Sequence, residues 1–150
     1  ALALPGAEPV VLLEQPTHLA NLGAAVRVAA AAGAAALLVT GDVDPWHPAA
    51  LRGSAGLHFP LPVAAIEDLP IEVLPTYDRP LIALDPAGEP MRAGALPPRA
   101  LLAFGTERHG LSDALLARAH RRLAIPMRPG VSSLNLATAV AAALYVGKSC

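Results

Sequence analysis

Ala100-Leu101-Leu102-Ala103-Phe104-Gly105-Thr106-Glu107-Arg108-His109-Gly110-Leu111-Ser112-Asp113 is the stretch on which the fold turns. Ala100 to Phe104 is apolar throughout and reads as a strand buried on both faces. It runs without a spacer into a segment punctuated by Gly105 and Gly110. Ser112-Asp113 then gives the N-terminal signal of a helix, expected to reach about Ala119. Strand, glycine-lined turn and helix in that order form the repeating unit of an α/β domain.

The same alternation extends in both directions. Pro9 to Leu13 predicts a buried strand, Thr17 or His18 starts a helix running to Ala32, and Gly33 stops it. Ala35–Thr40 predicts a second buried strand and Pro48–Ser54 a short helix. Leu57–Val63 reads as a short strand interrupted by prolines, and Ala65–Leu69 as a helical turn. Ile71–Leu74 and Leu81–Leu84 read as further strands, and Asp85 to Pro98 as a Pro/Gly-rich loop. Arg122–Ile125 is the last expected strand, and an Ala-rich helix from Leu134 to Val146 follows. Residues 1–150 are therefore expected to form a single α/β domain. Its sheet is mostly parallel, with helices on both faces. In such sheets ligands sit beyond the carboxyl ends of the strands.

Composition narrows the function classes. The net charge of −1 provides no overall basic field for nucleic acid or anionic lipid. Ten of the eleven basic residues are arginine, and only Lys148 is lysine; this suits bidentate phosphate contacts and equally fits a GC-rich genome. The single cysteine, Cys150, excludes an internal disulfide framework and any Cys-based zinc site, so a reducing cytoplasm is the expected compartment. The apolar stretch near Val28–Thr40 is too short to span a bilayer, and no signal peptide is expected at the first residues.

Known motifs are excluded one by one. The Gly105–Ser112 segment comes close to a phosphate-binding loop, but Leu111 stands where that loop needs a lysine. There is no G-x-G-x-x-G, and no G-x-S-x-G surrounds Ser132 or Ser133. The histidine spacing gives no support for a metal. What remains is a glycine-lined turn carrying Glu107, a Ser132-Ser133-Leu134-Asn135 turn, and an Asn21–Arg27 helix segment. The chain has only two asparagines, and each falls in one of these punctuations. Arg27 is flanked by alanine and valine, so it is expected on an inner helix face, where an unpaired charge would be costly. Ser112 and Asn135 also read as simple helix caps. Arg118, Arg121 and Arg122 read as a solvated helix end or a phosphate patch.

At these residues the chain resembles the SpoU (TrmH-type) branch of the SPOUT superfamily, the knotted RNA 2′-O-ribose methyltransferases. Asn21-x-Gly23-x-x-x-Arg27 resembles the first family motif. Phe104-Gly105-Thr106-Glu107-x-x-Gly110-Leu111 resembles the second, and Ile125-Pro126-Met127 followed by Ser133-Leu134-Asn135 the third. Gly53-Ser54-Ala55-Gly56 resembles the family's middle segment. The three motifs in order span about the whole chain.

The resemblance implies a C-terminal deep trefoil knot, an exception to the rule against knots. It also implies S-adenosylmethionine as methyl donor, no metal, an RNA substrate (tRNA or rRNA) and a homodimer. Cofactor contacts would come from Leu84, Gly105, Ile125, Met127, Ser133 and Leu134. Arg27 would be the central catalytic residue, with Asn21, Glu107, Ser133 and Asn135 positioning it, the RNA and the cofactor. Whether Arg27 acts as base or stabilises a developing alkoxide stays open, because arginine keeps its proton in proteins. A catalytically silent RNA-binding member of the same fold is the alternative. The chain lacks the tyrosine-tryptophan segment expected of the minimal wobble-position tRNA enzymes.

Overall fold

The computed structural model describes residues 3–67, 69, 72, 77–105, 109–128 and 135–148. Six strands and four helices alternate along them. They are β1 (Val10–Leu13), α1 (Leu19–Ala31), β2 (Ala36–Thr40), α2 (Pro48–Ser54), β3 (Val63–Ile66), β4 (Leu81–Pro90), β5 (Leu101–Phe104), α3 (Asp113–Arg118), β6 (Arg121–Ala124) and α4 (Leu136–Gly147). All described strand pairs are parallel, in the order β3-β2-β1-β5-β4-β6.

The central strands β1, β2 and β5 are buried at every position because both faces of the sheet are covered there. Alternate residues point opposite ways, and two core clusters result. Val11, Leu13, Leu37, Val39, Ile82, Leu102 and Phe104 face α1 and α4. Val10, Leu12, Leu38, Leu81, Leu101 and Ala103 face Leu111 and Leu115 at α3. Each buried leucine contributes on the order of 2 kcal/mol by removal from water.

Two expectations are corrected here. Leu57–Val63 is not a strand; the ladder begins at Val63, where it pairs with Leu37, and includes Ala65 and Ile66, which had been expected in a helical turn. Pro60 and Pro62 have no N–H to give a ladder. In contrast, β4 does not stop at Leu84. It pairs with β6 up to Leu84, shifts register, and resumes at Glu89 and Pro90 inside the expected loop. The expected strand Ile71–Leu74 lies largely outside the described residues.

The helices follow their signals. α1 ends at Ala31 with Gly33 at φ 80°, as its sequence predicts. Pro48 opens α2, and the His47 ring nitrogen accepts the Ala49 amide N–H as a cap. Among the described residues no helix is long and apolar enough to cross a membrane.

A feature the sequence did not announce fixes the opposite, amino-terminal edge of the sheet. Arg79 is 4% exposed and donates to the carbonyl oxygens of Leu4, Glu8 and Arg99. Arg99 donates to those of Leu4, Gly6, Tyr77 and Asp78. Two cations thus pin the chain that leads into β1. Burial, and then the like charge of Arg99, hold Arg79 below the ordinary arginine value, while Glu8 opposes the shift.

Candidate active site

The carboxyl ends of β1, β5, β4 and β6 lie side by side, and Leu84, Gly105 and Ile125 are found there. Leu84 is level with Leu123 on β6, Gly105 follows Phe104 directly, and Ile125 follows the last residue of β6. Leu84, Gly105, Ile125 and Met127 are all half-buried. They form an apolar edge whose main-chain groups lie at or beyond the strand ends.

Gly105 is a glycine for a local reason. A Cβ there would collide with the backbone of Gly110 and Leu111. Gly110 and Leu111 therefore lie directly against the end of β5, and Leu111 is buried. Glu107 lies outside the described residues, as do Ser133 and Leu134.

The first and third motifs meet through their asparagines. Asn135 is the N-cap of α4: its Oδ1 accepts the amide N–H groups of Ala137 at 2.9 Å and Thr138 at 3.4 Å. Its Nδ2 donates to Asn21 Oδ1 at 3.1 Å. The capping role and the approach to Asn21 hold together, because one amide end serves each.

Arg27 is not where its neighbours suggested. It is exposed, not on an inner face, and it makes no hydrogen bond or ion pair to a described residue. The buried residues of α1 are Leu22, Gly23, Ala25, Val26 and Ala29. Ala20, Arg27 and Ala31 lie on the opposite, exposed stripe. Alanine is tolerated in water, so an Ala-rich sequence does not mark which face is inside. Arg27 stands about 120° around the helix from Asn21, so this chain does not bring the two side chains together.

Gly23 serves packing. A Cβ at this position would meet the Ala50 carbonyl oxygen and the Gly53 backbone of α2. The middle segment is likewise structural here. Gly53 faces α1, and buried Ser54 lies 2.7 Å from His58 Nδ1, whose other ring nitrogen is 2.6 Å from the Pro45 carbonyl oxygen. Arg118, Arg121 and Arg122 pair with Glu72, Glu89 and Asp85 at 3.3, 3.4 and 3.8 Å, and the last two arginines lie on β6 instead of a helix end. An apolar groove lined by Ala30, Ala31, Ala34, Leu57, Pro60 and Leu61 lies away from the carboxyl edge and carries no polar side chain. Among the described residues no group of three His, Cys, Asp or Glu is placed to hold a metal.

Sequence reasoning passed over Glu14. It follows β1 directly, and its carboxylate accepts both the amide N–H and the hydroxyl of Ser112, at 2.7 and 2.8 Å. The signal was positional: it is the first polar residue after a central buried strand, where sites in such sheets are built.

Residues 8–145 match the SpoU rRNA Methylase family. The chain belongs to that family. A relative, an uncharacterized tRNA/rRNA methyltransferase of Synechocystis sp., is 37% identical over 145 residues, covering 94% of this chain and 53% of the relative. The 23S rRNA (uridine(2479)-2′-O)-methyltransferase of Streptomyces viridochromogenes is 33% identical over 149 residues, covering 90% of this chain and 50% of that one. Among solved structures, the SpoU methyltransferase AviRb from Streptomyces viridochromogenes, in complex with the cofactor AdoMet, superposes with a TM-score of 0.86 at 30% identity. That match covers 98% of this chain and 59% of AviRb. The chain spans about half the length of the curated relatives it matches.

Proposed function

We propose that this chain is the catalytic domain of an S-adenosylmethionine-dependent RNA methyltransferase acting on a ribose 2′-hydroxyl of tRNA or rRNA. The observation that carries the reading is the pairing of Asn21 with Asn135 at the carboxyl edge of a SpoU-family sheet. Two motifs 114 positions apart in sequence are brought into direct contact there.

The edge residues fit the cofactor. Leu84, Ile125 and Met127 offer half-buried apolar surface to an adenine ring, and the backbone turn at Gly105 leaves no room for a side chain. Ser133 and Leu134 complete this set by resemblance. Bound S-adenosylmethionine supplies an electrophilic methyl group on a sulfonium, which passes to the 2′-oxygen as the hydroxyl proton is lost. Arg27 meets the ribose and its phosphate; it either takes that proton as a guanidine that has first released its own, or stays a guanidinium and stabilises the negative charge that develops as water takes the proton. Asn21, Glu107, Ser133 and Asn135 orient RNA and cofactor, and in-line displacement at a sulfonium needs no metal.

The reading includes a homodimer and a C-terminal trefoil knot, both drawn from the family resemblance. Exposure of Arg27 on the outer stripe of α1 supports the dimer, since a second copy would then complete the site around it.

Incubation with tritiated S-adenosylmethionine and separated tRNA and rRNA pools, from a strain lacking the protein, tests the reading. Label mapping to a ribose 2′-oxygen in one pool is the expected result. Cofactor binding with no label in either pool would instead indicate a silent member of the family.

A further inference from the structure

Glu14 follows directly on β1, and its amide N–H extends the ladder by donating to the Phe104 carbonyl oxygen at 2.9 Å. Its side chain reaches Ser112, just before helix α3. Gly105, which follows β5, and Ser112, which caps α3, are the described residues on either side of this contact. The two carboxylate oxygens hold Ser112, one accepting its amide N–H and one its hydroxyl, at 2.7 and 2.8 Å. These are short, charge-assisted contacts on two donors of one residue. A second contact accompanies it: Gly105 lies directly against Gly110 and Leu111. The glycine contact sets how closely the end of β5 and the start of α3 approach. Glu14 sets their registry, tying β1 to a segment 98 positions away.

We infer that Glu14 is a positioning residue for the methyl donor. Its carboxylate holds Ser112, and with it Leu111 and Gly110 against Gly105, in the position that receives S-adenosylmethionine, without contacting the cofactor itself. This rests on the function proposed above. The alternative is that Glu14 only supports helix α3. Ser112 already caps that helix through its own hydroxyl oxygen, which accepts the Leu115 amide N–H at 3.3 Å, and that bond does not require Glu14. The Glu14–Ser112 bonds lie at the surface, where such pairs add little to global stability. Losing them should disturb the segment more than the fold.

The test is calorimetric titration of S-adenosylmethionine into wild type, Glu14→Ala, Glu14→Gln and Ser112→Ala, with RNA affinity and thermal melting measured in parallel. Glu14→Ala is expected to melt within a few degrees of wild type and bind RNA as well, but to bind the cofactor roughly tenfold more weakly. Glu14→Gln is expected to recover most of the affinity, since its amide oxygen can accept the Ser112 N–H while its NH2 donates to the hydroxyl oxygen. Ser112→Ala, which removes one of the two bonds, is expected to weaken cofactor binding by less.

Unchanged cofactor affinity in Glu14→Ala overturns the inference and leaves the methyltransferase reading standing. A large fall in melting temperature with equal losses of cofactor and RNA binding assigns Glu14 a structural role and overturns it as well. If Glu14→Ala does not fold, Ser112→Ala decides, and wild-type cofactor affinity in that variant overturns the inference. Wild type that binds no S-adenosylmethionine removes the proposed function and the inference together.

Discussion

Asn135 donates its side-chain N–H to Asn21 Oδ1 at 3.1 Å while its own Oδ1 caps helix α4. The two ends of one amide thus do separate work, and the shorter cap residues serine and threonine cannot do both. Serine retains an acceptor for the Ala137 N–H but has no second arm to reach Asn21.

Substitutions should separate the two contributions. Asn135→Ala is expected to cost about 1–2 kcal/mol from the lost cap, plus about 1 kcal/mol from the lost bond. Asn135→Ser should recover the first part only. A double-mutant cycle with Asn21→Ala, read by urea denaturation, should return a coupling of about 1 kcal/mol. A coupling near zero would mean the asparagines are neighbours that do not hold each other.

Gly23 offers a case in which propensity and packing give opposite signs. Glycine to alanine inside a helix is worth about 1 kcal/mol in favour of the variant. At Gly23 the added Cβ would collide with a backbone carbonyl of α2, which cannot rotate away. Overpacking of this kind costs about 1–3 kcal/mol, so Gly23→Ala should destabilise. Gly53→Ala meets its nearest atom, the Ala20 carbonyl oxygen, at 3.1 Å and should be milder. The order of the two midpoints in a urea melt checks the argument.

At the opposite edge, Arg79→Met should loosen the entering chain. It removes donors to three main-chain carbonyls in a buried position, and bonds to charged donors are worth about 1.5–3 kcal/mol each before the desolvation cost is returned. A net loss of about 2–4 kcal/mol is expected, with faster amide exchange at Arg99, whose N–H is bonded to the Ala7 carbonyl. The depressed value of Arg79 adds no pH dependence, because arginine stays protonated across the accessible range in both states.

Sequence carried the central strands and most helix ends, and the reasons are local. Val10–Leu13, Ala36–Thr40 and Leu101–Phe104 are short apolar runs with turn signals beside them, and central parallel strands have no other pattern available. β3 was misplaced because its exposed residues, Ala64 and Ala65, look no different from buried ones, while prolines sit where the apolar run is strongest. The second half of β4 was hidden because Pro86, Gly88 and Pro90 spell a loop; only the neighbouring β6 gives them a ladder. Glu14 and Arg79 could not be read from nearby residues, since their partners lie as far as 98 and 75 positions away. The asparagines were legible because they interrupt an otherwise amide-poor chain.

Arg27 is the residue on which the proposed reaction can be separated from the fold. It is exposed, its outer stripe on α1 is otherwise alanine at positions 20 and 31, and no described residue bonds to it. Alanine is also the better helix former. Arg27→Ala should therefore leave stability within about 0.5 kcal/mol of wild type and leave cofactor affinity unchanged. If Arg27 meets the reacting ribose, methyl transfer should fall at least about 100-fold, the scale of losing one aimed donor in a transition state. Arg27→Lys keeps the charge but not the planar fork, so it should retain part of the rate if Arg27 works by electrostatic stabilisation. Single-turnover methylation with saturating cofactor reads both variants. Wild-type turnover by the folded alanine variant would remove Arg27 from the reaction.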